Sequence, residues 1–271
     1  MLNRKKSRQF TFKYYERPGR WMSDAQLDTF VEELRAIGVT CFDELPDYQC
    51  FKADREGFGN KVITVARDPS GRAVGFSSGV LLDVEGMDPV VHLGLSCVHP
   101  DARCGGLTHA LASRMVSGYM LRHHLFSRVW VTNVACVLSS IGNVAANFDQ
   151  VFPSPNCDTP TERHMRIART VSARYREDIY IHEDARFDEA AFVFRGSVKG
   201  TCFQKDPDDT RYHHRKQYLN DFYLGFMRLD EGDEVIQVGH FSCLTAAGYF
   251  IRRALKPIKR LIRPQLQHAA R

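Results

Sequence analysis

The chain has 271 residues, enough for one large domain or for one domain with a sizeable extension. Its 44% apolar and 25% charged residues are the proportions of an ordinary globular protein, and no apolar run is long enough to span a bilayer. The net charge of +5 is unevenly placed: from Arg252 to Arg271 the chain carries Arg252, Arg253, Lys256, Lys259, Arg260, Arg263 and Arg271 and no acidic residue, so the remainder is slightly acidic and no nucleic-acid partner is expected.

Met1–Lys6 is basic but no apolar segment follows it, so no secretory signal is expected. The eight cysteines are scattered without a Cys-x-x-Cys pair; they read as reduced thiols acting as small core hydrophobes in a cytoplasmic protein, with no metal site.

In chain order, residues 9–15 alternate apolar and polar and predict a strand. Ser23-Asp24-Ala25-Gln26 is a capping box, and Leu27, Phe30, Val31 and Leu34 then mark one face of a helix ended by Gly38. The β-branched stretch 61–67, the turn Asp68-Pro69-Ser70-Gly71 and the return stretch 72–84 predict an antiparallel hairpin. Residues 89–98 form another apolar strand. A helix follows over 108–125, with Leu111, Met115, Met120 and Leu121 for its buried side, then a strand over 128–132 and a helix over 139–151.

Beyond Phe152 the pattern predicts a charged helix over 162–175, strands over 192–194, 223–229 and 234–241, and a helix over 243–255. The fold class is α/β, with a mixed sheet, since a hairpin is combined with a β-α-β crossover.

The stretch His92 to Leu111 is an apolar strand, a tight loop with Gly105 and Gly106, then a helix. Unpaired amides at a helix N-terminus and the positive end of the helix dipole favour an anion, glycines allow a phosphate close to the backbone, and Arg103 adds fixed charge.

Val98-His99-Pro100 followed by Arg103-Cys104-Gly105-Gly106-Leu107-Thr108 resembles the signature of the GNAT superfamily of acyl-CoA-dependent N-acyltransferases. The hairpin from Val65 to Phe76 looks like that family's second and third strands, and the resemblance covers residues 9–152, about half the chain. It departs from the pattern at Cys104, where Gly is usual, and at Thr108, where a smaller residue is usual. The Tyr that often protonates the departing thiolate is also missing: the corresponding stretch holds Ser140, Asn143 and Asn147, and Phe148 transfers no proton.

The resemblance implies a mixed central sheet flanked by helices with an extended C-terminal region: a GNAT-like core over 9–155, a segment 156–251 completing the sheet and the acceptor pocket, and a basic tail over 252–271. It implies acetyl-CoA or another acyl-CoA as co-substrate, and direct attack by an amine of a small molecule or a protein. The pyrophosphate would be held by Arg103, Cys104, Gly105, Gly106, Leu107 and Thr108. The pantetheine arm would lie along Cys97 and Val98, the Val98 amide polarising the thioester carbonyl, and His92 would be the general base. Two alternatives stand beside this one. The basic tail motivates an acyl-chain transferase that uses acyl carrier protein or long-chain acyl-CoA near an anionic membrane surface. The missing Tyr motivates a GNAT-fold binding protein without catalysis.

Overall fold

The computed structural model describes residues 10–103 and 106–248. The motif residues Cys104 and Gly105, the basic tail and most of the helix expected over 243–255 lie outside them.

The chain opens with β1 (Thr11–Glu16) and α1 (Asp24–Gly38). Ser23 caps α1 as its sequence requires: its Oγ accepts from the Gln26 amide, and the Gln26 side chain accepts from the Ser23 amide at 2.9 Å. Leu27, Phe30, Val31, Leu34 and Ile37 are buried along one face. Gly38 does not stop this helix by a left-handed turn. It is the last helical residue, and a Cβ there would lie 2.7–2.8 Å from Leu45 and Phe51, so close packing is what requires glycine.

A single turn, α2 (Arg55–Phe58), leads into the hairpin β2 (Lys61–Arg67) and β3 (Ala73–Leu82). Asp68 Oδ1 accepts from the amides of Ser70 and Arg72, and Gly71 takes φ +86° to close the turn. Next come β4 (Val90–Val98), α3 (Leu107–His123) and β5 (Val129–Ala135). Leu111, Met115, Val116, Tyr119 and Met120 are the buried side of α3; Leu121 is 60% exposed, because it falls outside that stripe.

After β5 the structure has α4 (Leu138–Asn147), β6 (Asp149–Phe152), α5 (Glu162–Arg174), β7 (Arg186–Asp188), β8 (Val193–Arg195), α6 (Gln217–Leu224) and β9 (Glu234–Phe241). Two sequence expectations fail here. The helix over 139–151 gives way at Phe148 to β6, which pairs with β9. The strand over 223–229 is instead the end of α6 and a loop. Tyr223 is fully buried there, its hydroxyl donating to Pro153 O (3.0 Å) and accepting from Gln237 Nε2 (2.7 Å), partners far apart in sequence.

Among the described residues the strands form one mixed sheet in the order β1-β2-β3-β4-β5-β9-β8-β7, with β6 also on β9. Only β4 and β5 are parallel, as α3 between them demands. The helix α3 packs on one face, over Val62, Leu81, Val91 and Val131, and α4 and α6 continue that layer over Val193 and Val235. The opposite face carries α1 over Ile63, Val65 and Phe76, then α5 over Val80, Val90, Ile236 and Val238. Among the described residues no helix is long and apolar enough to cross a membrane.

Candidate active site

Strands β4 and β5 pair only from Val91 to Leu93 against Val131 to Asn133. Beyond that point β4 stays on β3, β5 stays on β9, and the two part. The cause lies in β4 itself: Ser77 pairs with Ser96 but Gly79 pairs with Leu93, so β4 bulges at Gly94 and Leu95, which bends and twists it away. Gly94 is needed there, since a Cβ would sit 2.9 Å from the Tyr48 hydroxyl. The parting exposes backbone N–H and C=O groups of β4 to a cavity of about 460 Å³.

This cavity runs through the sheet. On the α3 side it is lined by Thr108, His109 and Ser113, with Asn143, Asn147 and Phe148 of α4. On the α1 side its walls include His92, Tyr48, Tyr180, Phe203 and Glu234. The lining thus runs from the first turn of α3 to aromatic and titratable side chains.

At the α3 end, Gly106 is the N-cap residue in a left-handed conformation (φ +77°, ψ +38°) without side-chain capping. Among the described residues a Cβ at Gly106 would meet nothing closer than His109 Cδ2 at 4.0 Å. Thr108 sits inside the first turn rather than capping it, and lines the cavity. Leu107 is buried with Leu111, Val98 and Ala102, which pins the loop and leaves the first amides of α3 without helical acceptors.

Arg103 folds back on the strand end: Nε donates to Val98 O at 3.0 Å and Nη2 to Thr40 O at 3.5 Å. Cys97 is 2% exposed and its thiol is pushed up, by its hydrogen bond to Cys41 and by burial, so it is no nucleophile at neutral pH. His99 Nδ1 accepts from the Asp101 amide, a structural cap on the turn after β4.

On the other side His92 is 2% exposed and its Nδ1 bonds Thr132 Oγ1 across the β4–β5 pairing at 3.0 Å. Burial pushes its imidazole down to about 3, so it is neutral at physiological pH. Glu234 opens β9 beside the last residues of β5, and is 7% exposed. Its Oε2 accepts from Ser197 Oγ at 2.7 Å, and burial pushes the carboxyl up to about 7 despite that bond. Burial also raises the Tyr48 hydroxyl, and the Glu234 charge adds to the shift.

The sequence did not mark Glu234 or Tyr48. Tyr48 lies in an aperiodic stretch after α1, and Glu234 was only the first residue of an expected strand whose neighbours the sequence leaves open.

The neutral state of buried His92 carries a stability prediction. Its folded pKa lies below its ordinary 6.5, so stability is intact above pH 6.5 and is lost as pH falls towards the folded value. The expected loss is about 1.4 kcal/mol per pH unit in that window. Urea unfolding of the wild type should weaken more steeply between pH 6.5 and 4.5 than that of His92→Gln; parallel pH dependences would refute the assignment.

No protein-family model matches the chain, and no curated protein does. Among solved structures it is similar to the aminoglycoside N-acetyltransferase AAC(6')-Iy in complex with CoA, at 18% identity and a TM-score of 0.36 over 51% of this chain and 85% of that one. It is similar to the aminoglycoside 6'-N-acetyltransferase AAC(6')-Ih from Acinetobacter baumannii at 15% identity and a TM-score of 0.33, over 50% of this chain and 86% of that one. A Trypanosoma brucei acetyltransferase matches at 17% identity and a TM-score of 0.35, over 57% of this chain and 99% of that one. In its own strand order the chain has the mixed central sheet flanked by helices that the GNAT resemblance implies.

Proposed function

We propose that the protein is an acyltransferase that moves an acetyl or other acyl group from coenzyme A to an amine by direct attack. The observation that carries this reading is the cleft between the parted β4 and β5, which joins the first turn of α3 to a pair of titratable groups on the far face. The start of α3, with Gly106, Leu107 and Thr108, is suited to a pyrophosphate, and Arg103, Cys104 and Gly105 complete that loop. The β4 edge from Leu93 to Ser96 lines the cleft and is suited to a pantetheine arm; Cys97 and Val98, which the resemblance assigns to the arm and to the thioester carbonyl, are buried just beyond it.

In the proposed reaction the amine nitrogen attacks the carbonyl carbon, the carbon–sulfur bond breaks, and the amine proton passes to the protein while the thiolate takes up another. His92, as the sequence suggests, and Glu234 are the two candidate bases in the cleft. Glu234, pushed to about 7, is matched to neutral pH, whereas His92, near 3, holds too little basicity for an ammonium. The observations therefore favour Glu234 as the proton acceptor, with His92 a neutral hydrogen-bonding group further along the cleft.

The acyl-chain and membrane alternatives rest on residues 252–271 alone, and no described residue adds to them. The acyltransferase reading is tested by titrating CoA into the protein calorimetrically and by following thiol release from acetyl-CoA with and without a mixed panel of amines. Saturable binding with amine-dependent release is expected; a folded protein that binds neither CoA nor acetyl-CoA would overturn it. Binding without release for any amine would leave the non-catalytic alternative.

A further inference from the structure

The half of the cleft on the α1 side is built unlike the half beside α3. Tyr48 and Tyr180 lie with ring centroids 6.2 Å apart, Tyr180 and Phe203 5.0 Å apart, and Phe203 is braced from behind by Phe42 at 5.8 Å. Three aromatic rings from three distant segments thus line the cavity, together with Val198 and Ile179. Tyr48 is 6% exposed, and its hydroxyl has no hydrogen-bond partner among the described residues.

The charge in this wall is equally specific. Among the described residues the cavity lining contains no Lys, Arg or Asp; Glu234 is its one carboxylate. Glu234 is held by Ser197 through Oε2, and no hydrogen bond reaches Oε1 among the described residues. Its field is felt on both sides, since it helps to raise the Tyr48 hydroxyl and the Cys136 thiol. The other titratable groups in the lining are Tyr48, Cys136, Tyr180, His92 and His109, while Lys205 acts on Cys136 and Asp178 on Tyr48 from outside it.

From this arrangement we infer that the α1-side chamber is the acceptor site, and that it takes a primary amine carried on an apolar or aromatic body with no anionic group. Glu234 receives the ammonium, and the faces of Tyr48, Tyr180 and Phe203 receive the body. This rests on the acyltransferase reading for the identity of the other substrate, but the chamber's own preference follows from its lining. An aromatic wall attracts a cation through the ring quadrupole and an apolar body through surface burial, and both effects grow in a site that excludes water. A carboxylate or phosphate on the acceptor would be stripped of water beside Glu234 with no Lys or Arg in the lining to meet it, which disfavours its binding. A polyamine would bring further ammonium groups that have no second carboxylate in the lining to meet. Selection by such unpaired buried charge is strong, because the penalty falls on the wrong ligand rather than on the right one.

The test uses full-length protein and two probes of one shape, 2-phenylethylamine and phenylalanine, with spermidine as the polycation. Acetyl transfer from acetyl-CoA should show kcat/KM for 2-phenylethylamine at least about 100-fold above phenylalanine and above spermidine. Direct calorimetric titration, without acetyl-CoA, should rank the three in the same order. Tyr180→Ala and Phe203→Ala should each raise KM for 2-phenylethylamine roughly tenfold while changing kcat little. Tyr180→Phe should retain most of the affinity, which separates a ring-face contact from a general loss of packing.

If CoA binds but the three probes bind equally, or if phenylalanine or spermidine is preferred, the acceptor assignment is wrong and the acyltransferase reading stands. If CoA does not bind yet 2-phenylethylamine does, with the stated selectivity and a dependence on Phe203, the chamber is an amine site and the acyltransferase reading falls.

Discussion

Glu234→Gln should lower amine-dependent kcat/KM by roughly 10²–10⁴-fold and abolish the pH dependence of the rate near neutrality. In the wild type the base form of Glu234 grows as pH rises through about 7, so kcat/KM should climb through that pH and level off above it. Glutamine preserves size and can still accept from Ser197, but it takes no proton. His92→Ala is the matched control: if His92 were instead the titrating base, that variant would lose the limb and Glu234→Gln would keep it. Retention of the limb in Glu234→Gln sinks the assignment to Glu234.

A second readout does not depend on turnover. The Glu234 carboxyl is raised above its ordinary value, so the folded state holds the proton more tightly than the unfolded chain does. The resulting stability is fully present below about pH 4.5 and is lost as pH rises through 7, an upper value of about 3 kcal/mol. Burial of the side chain, 7% exposed, means that little solvent screening reduces it. His92 has the opposite sign in an overlapping window, so the quantity to measure is the difference between wild type and Glu234→Gln across pH 5 to 8. No pH-dependent difference would mean that the carboxyl is not desolvated as the structure has it.

Gly106→Glu should raise the dissociation constant for acetyl-CoA at least tenfold, about 1.4 kcal/mol. Two effects act together. Gly106 has φ +77°, where a residue with a Cβ is strained, and a carboxylate would enter the site assigned to the pyrophosphate. Gly106→Asn separates them, since Asn tolerates the left-handed conformation without adding charge; it should bind acetyl-CoA within a few-fold of the wild type. Both variants should keep the wild-type circular dichroism spectrum. Unchanged affinity in a folded Gly106→Glu protein would remove the α3 N-terminus from the cofactor site.

Local chemistry carried much of the sequence reading. Ser23 and Gln26 announce a capping box because both partners lie within one turn, and they form it. Asp68 to Gly71 announce a turn because Asp68 accepts from its own neighbours and Gly71 adopts a positive φ, and β2 and β3 pair across it. The strand ending at Val98 and the helix opening at Leu107 were legible for the same reason, and Thr108 of that helix lines the cleft. The reading of Tyr223 as a strand residue failed because the segment's apolar content does not distinguish a short helix from a strand. A hydroxyl bonded to Pro153 and Gln237 depends on contacts that no local pattern encodes.

The sequence by itself determined a mixed α/β fold, the antiparallel start of the sheet and the helix that follows β4, since each depends on periodicity or on residues a few positions apart. Only the tertiary structure decided which groups meet in the cleft. His92 and Thr132 share a register position, Tyr48 reaches Gly94 from a loop, and Glu234 stands beside the end of β5 only because β9 inserts between β5 and β8. Their protonation was decided there too: a histidine near 3 and a glutamate near 7 invert the usual order of the two side chains. That inversion comes from desolvation, which is set by what packs around a group and is therefore a property of the fold rather than of the residue.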